Sequence, residues 1–321
     1  MIVGALTGHM QAGSLGAVAG LAFLYLPATR LHHRIPVMMA CAFAMLGSYA
    51  IGLLGNLVPA AAIPLIAAVA TLTMIFCRAH SLVPPGPLFM VMAASIAAFS
   101  PVAPTEVVAT LGYFSFGCVW ACALAVLYST YILRYRSPQP AVVPSKIDLQ
   151  NALLDSVVTG VFVAGSLTVA ALLALEKAYW VPVSCLAVMQ GVSLRASWSR
   201  SLHRILGTAA GLGVTAIILP YLRQDWAIAA AVILLTFVIE TIVVRHYGFA
   251  AVFITPLTIL LAEANGLGMA GDATLMEARL IDTIVGALIG TTGALCLHSP
   301  TVREILLRPL AAIRRKKNAR V

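Results

Sequence analysis

Apolar runs of about 20 residues, the length that a helix needs to span a bilayer, are the feature that most limits how this chain can fold. The run Trp226–Val244 contains a single charged residue, Glu240. Strands of a membrane barrel alternate apolar and polar residues over about 10 positions, so these unbroken runs exclude a barrel. Charged residues make up 10% of the chain, against about 25% in soluble domains, which excludes a water-soluble enzyme. The sequence therefore predicts an all-α integral membrane protein.

Eleven apolar segments, separated by polar or Pro/Gly-rich stretches, are each predicted to cross the membrane as a helix. They are 3–27, 36–54, 58–77, 86–102, 106–131, 151–175, 178–192, 202–220, 226–244, 247–262 and 277–297. The longest polar interruption, 134–150, is rich in proline and predicts a cytoplasmic linker. We therefore expect a first repeat at 1–133, a second repeat at 151–298 and a basic cytoplasmic tail at 299–321.

The net charge of +9 predicts the orientation of the chain. Lys and Arg accumulate in the cytoplasmic loops of membrane proteins. With the C-terminus in the cytoplasm, alternating crossings leave only Lys177, Arg223 and Arg279 on the outer side, where the N-terminus also lies. This bias accounts for the basic balance without a nucleic-acid partner, and the sequence lacks the basic patches interleaved with aromatic residues that single-strand binders use.

Short matching motifs about 170 residues apart predict two repeats. Arg34 and the isoleucine after it match Arg204 and its following isoleucine, and Arg78 matches Arg245. Matching segments are an even number of crossings apart, so the repeats are parallel and related by an axis along the membrane normal. Segment 151–175 has no counterpart, so the first repeat lacks its first helix. Duplicated halves are typical of transporters, although a membrane scaffold or accessory subunit with duplicated halves remains an alternative.

Several short motifs carry a family resemblance. They are Tyr179–Ser184 (Tyr-Trp-Val-Pro-Val-Ser), Gln190, Arg195, Arg204–Gly211 (Arg-Ile-Leu-Gly-Thr-Ala-Ala-Gly), Arg279–Thr283 followed by Gly286 and Gly290, and Pro84–Phe89. Together they resemble the FUSC family of fusaric acid resistance proteins and aromatic acid exporters. Many members carry a large soluble domain between the halves, where this chain has only the short linker 134–150.

The resemblance implies efflux of aromatic or other small organic acids across a bacterial inner membrane. Related plant proteins conduct malate as channels, so a passive organic-anion pathway stays an alternative. The sequence has no Walker A pattern and no metalloprotease or hydrolase motif, so we expect no enzyme activity, no cofactor and no metal. Active transport would then depend on an ion gradient, most simply protons, and the expected partners are the organic acid, protons and membrane lipids.

Ionisable residues inside apolar segments are candidates for function because they are costly in a membrane. Glu240 lies in such a segment without a pairing residue one turn away, which suits a proton carrier, although Arg245 or Arg78 could pair with it. Arg279 and Asp282 are three residues apart, so they could form a salt bridge at the outer helix end or take part in proton coupling. Arg204, in an arginine-rich stretch placed at the inner end of segment 202–220, could hold a substrate carboxylate.

The segments 86–102 and 247–262 occupy matching places in the two repeats, and both contain proline. Apart from 178–192, they are the shortest of the eleven segments. Paired short or proline-broken helices indicate the central site of a transporter. We therefore expect these segments to line the substrate pathway. The residues expected to contact substrate are Phe89, Phe253, Thr255 and Thr258 on these segments, together with Trp180, Gln190 and Arg204.

Four pairs of glycines with GxxxG spacing predict close helix packing, namely Gly4/Gly8, Gly16/Gly20, Gly207/Gly211 and Gly286/Gly290. A glycine every four residues lets another helix approach closely. The spacing does not specify which chain supplies that helix, so packing within the chain and a homo-oligomer built through these faces both stay open.

Overall fold

The computed structural model describes residues 1–82, 85–141, 149–264, 273–302 and 304. Residues 142–148 of the predicted linker and most of the predicted basic tail lie outside these residues. The helices are α1 (Ile2–Thr7), α2 (Met10–Gly20), α3 (Leu31–Leu57), α4 (Ala62–Ala79), α5 (Leu88–Phe99), α6 (Val107–Ile132), α7 (Leu149–Leu172), α8 (Trp180–Met189), α9 (Leu194–Ile218), α10 (Asp225–Ile242), α11 (Tyr247–Ala264) and α12 (Ala273–His298). Short 3₁₀ turns extend or precede four of them, and all regular structure in the described part of the chain is helical.

Seven of the helices are long and apolar enough to cross a membrane. They are α3, α4 with the 3₁₀ turn before it, α6, α7, α9, α10 and α12. Four further apolar helices are shorter: Met10–Tyr25, Leu88–Phe99, Trp180–Met189 and Tyr247–Ala262. The all-helical membrane fold is therefore confirmed, and each predicted segment contains a helix. That all eleven segments cross the membrane stays a prediction.

The segment 3–27 is not one helix, contrary to the prediction. α1 ends at Thr7, and Gly8 follows it with φ 72°, the left-handed conformation that glycine adopts without steric cost. The chain then turns at His9, and α2 starts at Met10. α1 folds back so closely on α2 that a Cβ on Gly4 would lie 2.8 Å from the Cα of Gly13.

Two short helices, α5 and α8, lie at the centre of the fold and contact each other. Every residue of α8 and the stretch 90–98 of α5 are buried, as expected of helices that are apolar all round. At 1.5 Å per residue they are about 15 and 18 Å long, roughly half of a bilayer core. Prolines lie at both ends of α5 and limit its length: Pro87 precedes its first residue, and Pro101 follows the extended Ser100 at its end.

The two halves of the chain share a pattern of helix neighbours. α3 packs against α5 and α6, as α9 packs against α11 and α12, and α2 packs against α6 as α8 packs against α12. α4 packs along α7, whereas its counterpart α10 contacts the much shorter α1. The shared pattern supports two parallel repeats, which remain a prediction.

The two GxxxG pairs of the second half pack against helices of the same chain. A Cβ on Gly286 would clash with the carbonyl oxygen of Val181, and one on Gly290 would clash with the carbonyl oxygen of Cys185. Because neither residue has a side chain, α12 can pack closely against α8. Gly211 faces α11, where a Cβ would lie 2.5 Å from the carbonyl oxygen of Val252. This is the carbonyl that Pro256 leaves without its helical partner, so the bare glycine gives it room.

The orientation of the helices stays a prediction that reporter fusions can check. Reporters fused after Val143 and after Arg320 should be active in the cytoplasm, because most Lys and Arg then lie inside. A reporter fused after Gly271 should be active in the periplasm. A cytoplasmic result at Gly271 would reverse every loop of the second half.

Candidate substrate site

Buried polar side chains meet where α8, α9, α11 and α12 come together. We call them the arginine cluster; its members are Tyr179, Trp180, Ser184, Arg204, Thr258, Arg279 and Asp282. Arg279 is 2% exposed and Asp282 is 0% exposed, and both belong to α12. Ionised side chains are almost never fully buried without a partner, so a cluster of this kind inside a membrane protein is a candidate functional site.

Arg279 is held between α8 and α11. Its guanidinium carbon lies 3.9 Å from the centre of the Trp180 ring, a cation–π contact. Its Nη2 donates a hydrogen bond of 3.4 Å to Oγ1 of Thr258. Its Nε and Nη1 are buried and have no hydrogen-bond partner among the described residues. The planar guanidinium is therefore fixed in place, with two of its nitrogens unused.

Arg204 approaches the same region from α9 and is also buried, at 6% exposure. Its Nη2 donates a hydrogen bond of 3.4 Å to Oγ of Ser184, and its Nε has no partner within the part of the chain that is described. α9 begins at Leu194, because the hydroxyl of Ser193 caps it by accepting a hydrogen bond from the Ala196 amide. Arg204 therefore lies about 15 Å along the helix and not at its inner end, as the apolar segment 202–220 had suggested.

Asp282 and Tyr179 add unpartnered polar atoms to the cluster. Neither carboxylate oxygen of Asp282 accepts a hydrogen bond from the described residues, and the hydroxyl of Tyr179 has no partner there either. Arg279 and Asp282 do not form the salt bridge that their spacing allows, whereas Arg78 and Asp155 do form an ion pair, at 2.6 Å. Asp282 is still within electrostatic range of Arg279 and Lys177.

The short helix α8 organises the cluster. Trp180, its first residue, touches Arg279, and Ser184, one turn later, touches Arg204. The two residues of α8 that contact the guanidinium groups are thus about 6 Å apart along the helix axis, and the two arginines repel each other electrostatically. The amino end of α8 carries partial positive charge toward the same region. This arrangement stabilises an anion, and a carboxylate could accept hydrogen bonds from both arginines.

A cavity of about 690 Å³ opens near the cluster at the predicted outer end of the helices. Arg223 and Asp225 line it between α9 and α10, together with Met10 and Met276. Met276 precedes Arg279 by three residues on α12, so the cavity reaches to within one helical turn of that arginine. The cavity is large enough for a small organic acid, but the residues that line it do not include any member of the arginine cluster.

The predicted substrate residues outside the cluster are spread over the molecule. Gln190 donates a hydrogen bond of 2.8 Å to the carbonyl oxygen of Pro85 and so links the end of α8 to the turn before α5. The ring of Phe89 packs edge-on against Tyr25. Phe253 packs edge-on against Phe249 in a separate apolar cluster.

The helices α5 and α11, which contain segments 86–102 and 247–262, do not form one shared surface. α5 packs against α3, α4 and α8, whereas α11 packs mainly against α9 and α10. Thr255 of α11 is buried and donates a hydrogen bond to the carbonyl oxygen of Ala251. Only Thr258, one turn further along, reaches the arginine cluster.

Glu240 lies apart from the cluster, on the exposed face of α10. The side chains on the opposite face, among them Val232, Leu235 and Ile239, are the buried ones. Within the described residues Glu240 makes no hydrogen bond or ion pair, and Arg78, one of its predicted partners, bonds to Asp155 at 2.6 Å. Its predicted role in proton coupling is not supported by any contact with the arginine cluster.

Sequence reasoning missed two members of the cluster, Tyr179 and Ser184. Both lie in a run that carries the family resemblance, but neither is charged, so neither stood out as a candidate. The spacing from Trp180 to Ser184 is one helical turn, and this is the signal that could have placed Ser184 beside Trp180. Nothing in the sequence indicates which other helix faces that turn.

Comparison with known proteins agrees with the resemblance. Residues 163–292 match a family described as fusaric acid resistance protein-like, and this range contains every member of the arginine cluster. "Uncharacterized membrane protein YvaC" of Bacillus subtilis (strain 168) is 33% identical over 121 residues, which are 38% of this chain and 19% of that protein. The chain thus matches about a fifth of the length of this relative. No solved structure matches the chain.

Proposed function

We propose that this membrane protein, whose residues 163–292 are fusaric acid resistance protein-like, exports small organic acids. The preferred class is aromatic carboxylates, and the membrane is the bacterial inner membrane, with both termini oriented as the charge bias predicts. The observation that carries the proposal is the pair of buried arginines, Arg204 and Arg279: Nε of Arg204 and both Nε and Nη1 of Arg279 lack partners among the described residues. An unsatisfied buried N–H costs about 1–3 kcal/mol, and a carboxylate is the natural group to accept from several of them.

In this proposal the substrate carboxylate lies between the two guanidinium groups. It accepts hydrogen bonds from the free nitrogens of Arg279 and from Nε of Arg204. Trp180 is already covered by Arg279, so its role is to hold the guanidinium plane. Tyr179, whose ring is 5.0 Å from that of Trp180, offers aromatic surface and a hydroxyl to the rest of the substrate.

Asp282 is the proposed link between substrate and protons. Its carboxylate and the substrate carboxylate are like charges in one buried place, and both are attracted to Arg279. An organic anion therefore binds more tightly when Asp282 is neutral, and reciprocal linkage makes the bound anion favour the protonated form. The proton and the acid then cross together, so in export the outward concentration gradient of the acid drives the step and an acidic exterior opposes it.

The test of the proposed function is uptake of labelled organic acids into inverted membrane vesicles, with and without an imposed pH difference. We expect saturable uptake of aromatic carboxylates at a rate that the pH difference changes. Saturable flux that ignores the pH difference would favour the passive channel. No flux of any acid, from vesicles that contain the folded protein, would favour the scaffold or accessory subunit.

Two matched carboxyl variants locate the proton-linked group. Asp282→Asn should remove the pH dependence of uptake, because the amide keeps the size of the side chain but not its titration. Glu240→Gln should leave that dependence within about twofold, since Glu240 lies outside the arginine cluster and surface changes usually have small effects. The measurement is the initial rate of uptake between about pH 5.5 and pH 8, the range in which the pH dependence should appear. If Glu240→Gln removed the pH dependence and Asp282→Asn kept it, Glu240 would be the proton-linked group instead.

A further inference from the structure

We infer that Phe99, the last residue of α5, is the side chain that selects aromatic acids at the arginine cluster. The inference rests on the proposed function and adds a residue from the first half of the chain to the same site. The second half then provides the groups that bind the carboxylate, and the first half provides a surface for the ring.

The described members of the arginine cluster offer little aromatic surface that is not already covered. Trp180 lies under Arg279, whose guanidinium carbon is 3.9 Å from the centre of the ring. Tyr179 is 2% exposed, and its ring packs against that of Trp180 at 5.0 Å. Ligand pockets are lined mainly by apolar and aromatic side chains around a few polar groups. The ring of an aromatic acid therefore needs a further surface beside Tyr179.

Phe99 lies next to Tyr179 and has such a surface. The centres of the two rings are 6.4 Å apart, with an angle of 37° between their planes. Aromatic rings attract each other at separations of about 4.5–7 Å. α5 ends at Phe99 and α8 begins directly after Tyr179, so the two residues lie at the same end of two helices that contact each other. Tyr179 is also within electrostatic range of Arg279 and Asp282, so a single ring separates Phe99 from the charged groups.

The exposure of Phe99 differs from that of phenylalanines on the outside of the helix bundle. Phe43, Phe116 and Phe237 are 76%, 71% and 67% exposed, as expected of side chains that contact lipid. Phe99 is 37% exposed. Most of its ring is thus covered by protein, and the remaining part is accessible to a ligand ring.

The end of α5 is held in place by contacts on both sides of Phe99. The amide of Asn56 donates a hydrogen bond to the carbonyl oxygen of Ser100, and the hydroxyl of Ser100 donates one of 2.7 Å to the carbonyl oxygen of Ile96. Ile96, about one turn before Phe99, belongs to the same apolar core as Tyr179. A residue that recognises the shape of a ligand needs a fixed backbone of this kind.

Phe99 also places the site between the two predicted repeats. Substrates of transporters built from repeats bind at the interface between the repeats. With Phe99 included, the first half contributes to a site whose other members all belong to the second half. Segment 86–102 then lines the pathway through Phe99 near its far end, whereas Phe89 near its start packs against Tyr25.

Two acids that differ only in their ring test the inference. Benzoate and cyclohexanecarboxylate have the same charge and a similar size, but only benzoate is aromatic. The purified wild-type protein should bind benzoate more tightly. Phe99→Leu should weaken benzoate binding roughly two- to tenfold, the effect of one aromatic contact, and should change cyclohexanecarboxylate binding less than about twofold. Phe99→Tyr keeps the ring and should keep the preference. The measurement is titration calorimetry in detergent.

Phe116→Leu is the matched control, because Phe116 lies on α6, which packs against α2 and α3. It should leave both affinities unchanged. Equal affinity of the wild type for the two acids, or an equal loss of both in Phe99→Leu, would overturn the inference. Ring-selective binding without transport would overturn the proposed export alone. If neither acid bound to the folded protein, the inference and the proposed function would both fail.

A photolabel covers the case in which Phe99→Leu does not fold. A benzoate that carries a diazirine on its ring should attach to Phe99 of the wild-type protein in native membranes, as located by peptide mass spectrometry. An excess of unlabelled benzoate should prevent the attachment. Protectable labels found only on other residues would place the ring elsewhere and contradict the role of Phe99.

Discussion

Arg279→Lys is expected to raise the concentration of aromatic acid needed for half-maximal transport by at least about tenfold, while the protein stays folded and inserted. Lysine keeps the positive charge but lacks the planar fork that lets Arg279 lie over Trp180 and bond to Thr258. The variant also loses the unpartnered Nε and Nη1 that are proposed to bind the carboxylate. Hydrogen bonds to charged groups contribute about 1.5–3 kcal/mol each, so the loss of one such bond should lower the affinity roughly 10- to 150-fold. The measurement is the concentration dependence of uptake into inverted vesicles.

Arg34→Lys is the matched control for this variant. Arg34 is as buried as Arg204, at 6% exposure for each, but its Nε already donates a hydrogen bond of 2.7 Å to the carbonyl oxygen of Thr29. Its replacement should lower stability without changing the substrate concentration for half-maximal uptake. If Arg34→Lys and Arg279→Lys weakened substrate binding equally, Arg279 would have no special place in transport.

Gly286→Ala is expected to destabilise the fold more than a substitution at any exposed glycine. The new Cβ would meet the carbonyl oxygen of Val181 and would lie 2.7 Å from the Cβ of Ser184, so α12 must move away from α8. Overpacking of this kind costs about 1–3 kcal/mol. Because Ser184 also bonds to Arg204, the same shift should loosen the arginine cluster and reduce transport.

Gly213→Ala provides the comparison on α9. Nothing lies within 4 Å of a Cβ built on Gly213, and alanine favours a helix over glycine by about 1 kcal/mol. The unfolding midpoint in detergent should therefore fall for Gly286→Ala and stay the same or rise for Gly213→Ala. A midpoint for Gly286→Ala at or above that of wild type would mean that α8 and α12 are not packed as described.

The helical membrane fold could be predicted because hydropathy acts over whole segments. The run Trp226–Val244 appears as α10, and the run 106–131 appears as α6, with boundaries within two or three residues. Local backbone effects were harder to predict. Gly8 ends α1 because its left-handed conformation stops the helix, yet many glycines in these apolar runs, such as Gly47, lie inside helices.

The short central helices illustrate why length alone did not reveal their role. α5 and α8 are apolar throughout, so hydropathy predicted both as spans. Their burial on all sides depends on contacts with α3 and α12, which connect positions far apart in the sequence. The proline-based prediction chose α5 and α11 for the pathway, while the polar cluster formed around α8.

The candidate site could be predicted residue by residue but not as one assembly. Trp180, Arg204, Arg279 and Asp282 were each singled out by charge or by aromatic character in apolar surroundings. The sequence predicted Arg204 near the inner side of the membrane and Arg279 near the outer side. α9 starts before its apolar stretch because Ser193 caps it. Arg204 therefore lies about two turns further from the start of its helix than predicted. Only the packing of the helices shows that these residues meet beside α8.

The central claim is that an organic acid binds at the arginine cluster, and Trp180 provides a direct measurement of it. A variant in which Trp120, Trp198 and Trp226 are replaced by phenylalanine keeps Trp180 as its only tryptophan. Titration with benzoate should change the emission of Trp180 saturably, because binding alters the Arg279 guanidinium that lies 3.9 Å from the ring. A second aromatic acid should compete, and Arg279→Lys should abolish the response. Unchanged Trp180 emission in a preparation that still transports benzoate would contradict the account.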